Sequence, residues 1–121
     1  MNREWLLPVV VSLHNLEEAI WLPGFWLGRG WHLLSPIEFR VLATAVAGLA
    51  WLITSLSLRS QNRGLRGRFF FGFCWLMWVN ACWHIAASLY LRAYTPGVAT
   101  AVFLVLPATS YILWGRRLRL P

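Results

Sequence analysis

His14, Glu17 and Glu18 stand inside residues 6–22, LLPVVVSLHNLEEAIWL, a stretch otherwise apolar enough to enter a bilayer. On a helix His14 and Glu17 are three residues apart and His14 and Glu18 four apart, spacings that put all three on one face. An imidazole beside a carboxylate can move a proton, because burial raises a carboxyl pKa and lowers that of an imidazole. The same pair can supply two of the ligands of a divalent metal ion. Each carboxylate near a bilayer centre costs roughly 2.5–3.5 kcal/mol, so such groups persist where they pair, line a cavity or bind something. Two of the chain's four acidic residues are spent here.

A second apolar stretch carries Asn80 and His84, again four residues apart, with Met77, Ala81, Ala87 and Ser88 extending a mostly small-sided face. His14, Glu18 and His84 make two imidazoles and one carboxylate, a set that suits one zinc or one non-haem iron. Glu17 then serves as a further ligand or as a base acting on bound water, and Asn80 as an outer support. Paired di-iron bundles need more carboxylates than this chain has. Without a metal, His14, Glu17, Glu18 and His84 remain a catalytic acid/base set. The corresponding activity is that of a membrane-embedded lipid isomerase or a metal-dependent hydrolase or oxidoreductase, with a lipophilic substrate entering sideways. Asn80, Tyr94 and Trp83 are the candidate substrate contacts. Trp51, Trp75, Trp78 and Trp83 sit too deep for interfacial anchors and either fill the core or wall a pocket. The alternatives are a subunit of a proton- or ion-coupled transporter, which needs an oligomer to make a path, and a buried polar network that only fixes helix packing.

Four helices must position these groups. The expected spans are residues 5–22, stopped by Pro23-Gly24; 36–58, started by Ser35-Pro36; 68–91; and 96–114, bent at Pro107. Each is long enough for a hydrocarbon core of about 30 Å. Arg3, Arg59, Arg63, Arg66, Arg68, Arg116, Arg117 and Arg119 fall on one side, and Arg29, Arg40 and Arg92 on the other. Eight against three predicts an all-α, four-transmembrane-helix bundle in the cytoplasmic membrane with both termini cytoplasmic. Counting about 1.5 Å per residue from the outer ends puts Glu18 at about 8 Å depth, His84 at about 12 Å, His14 at about 14 Å and Asn80 at about 18 Å. The polar groups can therefore meet in the outer half of the bilayer. Tyr90 and Tyr94 would ring the mouth, and Thr100 and Thr109 would add hydroxyls. Glu38, Arg40 and His32 read as interfacial residues, and loop 23–35, with Trp26 and Trp31, as lying in the interface.

Composition agrees with a membrane protein. Of 121 residues 59% are hydrophobic, nine are Trp, and only 12% are charged, about half the share of a soluble domain. The net charge of +7 does not point to nucleic acid, because the arginines flank the apolar runs. Cys74 and Cys82, about 12 Å apart along one helix, cannot bridge each other. The start MNREW is too weakly basic, and the first apolar run too interrupted, for a cleavable signal peptide. Residues 1–121 read as one domain. Ala43, Thr44, Ala47, Gly48 and Ala50 make small-residue faces that suit close helix contact, including a homodimer.

The run His14-Asn15-Leu16-Glu17-Glu18 resembles the motif that names the HXXEE family of small bacterial membrane proteins. HNLEEAIWLPGF, then NACWH, then YTPGVATA and LP follow in order, so the resemblance covers essentially the whole chain. It implies a compact four-helix membrane protein, and it marks His14, Glu17, Glu18, Asn80, His84, Tyr94, Pro96 and Gly97. The resemblance implies no particular reaction.

Overall fold

The computed structural model describes residues 2–30, 33–59 and 63–115. His32, Trp31 and three of the arginines used to predict orientation (116, 117 and 119) lie outside the described residues. Among the described residues, a 3-10 turn at Arg3–Trp5 leads into four long helices: α1 (Leu6–Leu27), α2 (Pro36–Arg59), α3 (Arg63–Leu91) and α4 (Val98–Trp114). Each packs on the next and α4 returns to α1, which closes a ring. Neighbours run antiparallel. Asn15 of α1 bonds the Ala43 carbonyl of α2, Ser12 meets Trp51 nearer the other end, and Trp78 of α3 meets Ser110 of α4.

The start of α2 is fixed locally. Ser35 Oγ accepts from the Glu38 N–H at 3.2 Å, and Glu38 accepts from the Ser35 N–H at 2.8 Å. This reciprocal pair satisfies two donors that a helix start leaves open, and Pro36 adds a pre-set φ. The end of α1 departs from the expectation. The helix passes through Pro23 and ends at Leu27, so the first five residues of the expected loop 23–35 are helical. A proline there deprives the carbonyl four residues back, Ala19, of its helical donor. Arg40 of α2 supplies the replacement, with Nε donating to Ala19 O at 3.2 Å. The start of α3 lies at Arg63, earlier than residue 68, since arginine continues a helix well. In α4 the disturbance expected at Pro107 appears one turn upstream. Residues Ala101–Val105 form a π-helical turn in which the Leu106 N–H reaches back to Ala101 O.

Leu7, Val11, Phe70, Cys74, Val105 and Ile112 form a continuous apolar core, extended by Met77, Ala81 and Ala101 toward the polar groups. The outside is apolar as well: Ile37, Val41, Phe69, Leu89 and Phe103 are all more than 60% exposed. A soluble monomer seldom exposes so many large apolar side chains. Two helices, α2 and the Gly67–Leu91 part of α3, are long and apolar enough to cross a membrane, and α4 is apolar but shorter. The length of α1 suffices, but His14, Asn15, Glu17 and Glu18 break its apolar run. Cys74 is buried, Cys82 is half-buried, and neither is bridged.

Candidate functional site

His14 is fully buried in the middle of α1 and reaches α3 and α4 at once. Its Nδ1 lies 2.8 Å from Thr100 Oγ1 of α4, and its Nε2 lies 3.1 Å from Asn80 Nδ2 of α3. The Thr100 hydroxyl has one proton, and it donates that proton to Glu17 Oε2 at 2.6 Å. Toward His14 it can therefore only accept. In the neutral ring the proton sits on Nδ1, and Nε2 turns its lone pair toward Asn80, Glu18 and His84. Thr100 thus sets the tautomer of His14, with Glu17 behind it.

Glu18 and His84 complete the centre. Glu18 Oε1 accepts from His84 Nε2 at 2.8 Å and lies 3.8 Å from His14 Nε2. The two imidazoles meet edge to face with centroids 4.8 Å apart. One donor atom from each of His14, Glu18 and His84 falls within 4.8 Å of the others. A tetrahedral zinc with bonds of about 2.0–2.1 Å needs donors roughly 3.3 Å apart, so a contraction of up to about 1.5 Å would let the three residues hold an ion.

Glu17 takes a different direction from the one expected. Adjacent residues on a helix point about 100° apart, so the pair divides instead of sharing one face. Glu18 faces His84. Glu17 faces α4, where it accepts from the Thr100 N–H at 3.1 Å, from the Thr100 hydroxyl and from the Tyr94 hydroxyl. Both of its oxygens are engaged away from the His14, Glu18, His84 group, so Glu17 stands apart from those three. The Tyr94 phenol lies outside the helices, and its bond to the Glu17 carboxylate pushes its pKa up to about 12.

The connection between α3 and α4 lies over this centre. Arg92 and Gly97 both have positive φ, and Ser88 Oγ holds Thr95 Oγ1 at 2.6 Å. A Cβ on Gly97 would come 2.8 Å from His84 Cε1 and 3.1 Å from Glu18 Cγ. Glycine is required there twice, by φ of 93° and by the close approach of the site side chains.

The structure therefore brings together His14, Glu18, His84 and Asn80, joined through Thr100 to Glu17 and Tyr94. Trp83 is 69% exposed on the outer face of α3, away from the cluster, and Tyr90 is also on the surface. Trp75 and Trp78 stack edge to face with Trp114 instead of walling the site. Thr109 bonds the Val105 carbonyl within its own helix. Asn15, which the sequence reading passed over, ties α1 to α2 next to the site. Its position between His14 and the Glu pair was the available signal. Beside Glu18 and Asn80 a cleft of about 270 Å³ opens between α2 and α3.

The sequence profile of a family described as "Protein of unknown function with HXXEE motif" matches residues 5–112. The chain is also similar to "Uncharacterized protein YrkK" of Bacillus subtilis (strain 168), with 31% identity over 108 residues, 86% of this chain and 68% of that protein. No solved structure matches it.

Proposed function

The chain belongs to the HXXEE family, and we propose that it is an integral membrane protein whose His14, Glu18 and His84 bind one divalent metal ion, zinc or iron, and with it act on a lipophilic substrate. One observation carries this reading: three donor atoms from two helices converge within 4.8 Å in the middle of the bundle. The preset tautomer of His14 supports it. Metal-binding histidines usually give their other N–H to a fixed acceptor, and Thr100 backed by Glu17 is such an acceptor. An ion held there would polarise an oxygen ligand or activate a water. The residues themselves orient His14, hold Glu18 against His84 and, through the buried surroundings, keep bulk water away. The apolar exterior supports a place in the bilayer, and the eight-to-three arginine asymmetry supports cytoplasmic termini with the site in the outer half of an inner membrane.

A metal-free reading has one observation in its favour. Asn80 Nδ2 already occupies the lone pair of His14 Nε2, and Glu18 already pairs with His84. On that reading Glu18 and His84 exchange a proton with the substrate directly. Metal analysis separates the two. Protein purified in mild detergent without chelators should carry about one zinc or iron per chain, and His14→Ala and His84→Ala should carry none. A wild-type protein that holds no metal as purified, and takes up neither ion on titration at neutral pH, would sink the metal reading.

A further inference from the structure

The wall of the bundle is open between α2 and α3. Leu42 and Val46 from α2 and Leu76 and Met77 from α3 line the cleft that reaches Glu18 and Asn80. Leu42 is 52% and Leu76 61% exposed, so the mouth lies on the apolar outer surface and not at a helix end. Phe39 lines this cleft and also a second pocket of about 260 Å³, whose other walls include Trp26 and Leu34 beside the α1–α2 connection. Each space alone is below the roughly 300–1,000 Å³ of small-molecule sites, and the two together are within it. Phe39 is the lining residue the two spaces share, so an elongated molecule with one end at Glu18 would have to pass it to reach the second.

The polar end of this path selects among lipids by charge. Among the described residues, the groups lining it include the carboxylate of Glu18 and the amides of Asn80 and Asn15, and no Lys or Arg. Arg40 does not line the cleft, and its Nε is committed to Ala19 O. With no ion on Glu18, a phosphate head would meet an acidic group and no lining Lys or Arg to offset it. A cationic head would compete with His84, which already holds Glu18 at 2.8 Å. A hydroxyl fits: it donates to the carboxylate and accepts from an amide N–H.

We propose that this cleft is the lateral entrance of the site and that its ligand is a single-chain lipid alcohol, with the hydroxyl at Glu18 and Asn80 and the chain running past Phe39 into the loop pocket. The inference rests on the reading of the His/Glu cluster as a site for a lipophilic substrate, and it adds the class of head group and the route. The test uses the full chain in lipid nanodiscs and three photoreactive probes of equal chain length: a long-chain alcohol, an alkyl phosphate and an alkyl amine. The alcohol should label peptides from α2, α3 and the α1–α2 connection about fivefold or more above the other two. Excess unlabelled alcohol should suppress that labelling. Leu76→Trp, at an exposed position that tolerates bulk, should reduce it about fivefold, whereas Val41→Trp, on another part of the α2 surface, should not. Equal or stronger labelling by the phosphate or the amine, or no suppression by unlabelled alcohol in the wild type, would overturn the proposal. So would labelling unchanged in a folded Leu76→Trp protein. Metal content of the same samples reads the ion separately. Protein that holds metal but takes no alcohol rejects the entrance alone, and protein that takes alcohol without metal rejects the ion alone.

Discussion

At the end of the bundle where α1 starts and α4 stops, Leu7, Val11, Phe70, Val105 and Ile112 meet through apolar side chains. About 10 Å further along α1, His14, Glu18, Asn80 and His84 meet through hydrogen bonds. The apolar end is held by many weak contacts, each of which can relax a little. The polar end is held by a few directional ones, which tolerate little displacement. Even its threonines differ. At the apolar end Thr54 Oγ1 is buried with no hydrogen-bond partner, whereas at the polar end Thr100 Oγ1 both donates to Glu17 and accepts from His14. The same residue type is a defect in one region and a joint in the other. Precise chemistry belongs where loss of one atom cannot be absorbed.

Matched substitutions sharpen this contrast. The largest difference is expected for glycine to alanine. Gly97→Ala should destabilise by about 2–4 kcal/mol, through its positive φ and the clash with His84, and should weaken any metal binding. Gly72→Ala, where an added Cβ meets nothing within 4 Å, should stabilise by about 0.5–1 kcal/mol. Thermal unfolding in detergent reads both, and similar losses at the two positions would erase the distinction. The threonine pair comes next. Thr100→Val should cost about 1–3 kcal/mol, since it strands the His14 Nδ1–H and removes a donor from Glu17. Thr54→Val should be neutral or stabilising by up to about 1 kcal/mol, since it removes a buried oxygen that bonds nothing. Denaturant titration of the two variants gives the comparison, and a loss at Thr54 equal to that at Thr100 would break it.

The smallest effect is a pH dependence at the rim. Tyr94 has a folded-state pKa of about 12 against an ordinary value of 10.0. A raised pKa means that the folded state keeps the proton longer. The stability this bond provides is thus complete below pH 10 and is lost as pH rises toward 12. Tyr94→Phe should be slightly less stable than wild type at neutral pH, and the gap should close across that window. Tyrosinate absorbance and the unfolding midpoint, followed together, check it. A gap that stays constant to the top of the window would remove Tyr94 from the Glu17 network.

Much of this arrangement was legible from residue counting. The rise of a helix places His84 between Glu18 and His14 in depth, and the structure has His84 against Glu18 and Asn80 against His14. Ser35-Pro36 marks the start of α2 because that signal is local. What stayed hidden depends on partners distant in sequence. Pro23 stops a helix only if its orphaned carbonyl finds no donor, and Arg40, seventeen positions on, provides one. Glu17 and Glu18 look equivalent until the 92–97 connection and α4 claim one of them. Trp83 looks like a pocket wall by depth alone, but its place on the outer face of α3 follows from how that helix is rotated in the ring.

The π turn of α4 has a consequence for chain length. A turn closed by a five-residue hydrogen bond contains one residue more than its α-helical equivalent, as an insertion does. In this chain the surplus lies between Thr100, which serves the polar end, and Ile112, which serves the apolar one. Phe103, within it, is 76% exposed and points away from both. A family member lacking one residue here can keep both ends in place by closing the turn to a regular helix. Alignments across α4 should therefore admit a single gap at 101–105, with the TPG segment and Thr100 on one side of it in register with the LP that follows on the other.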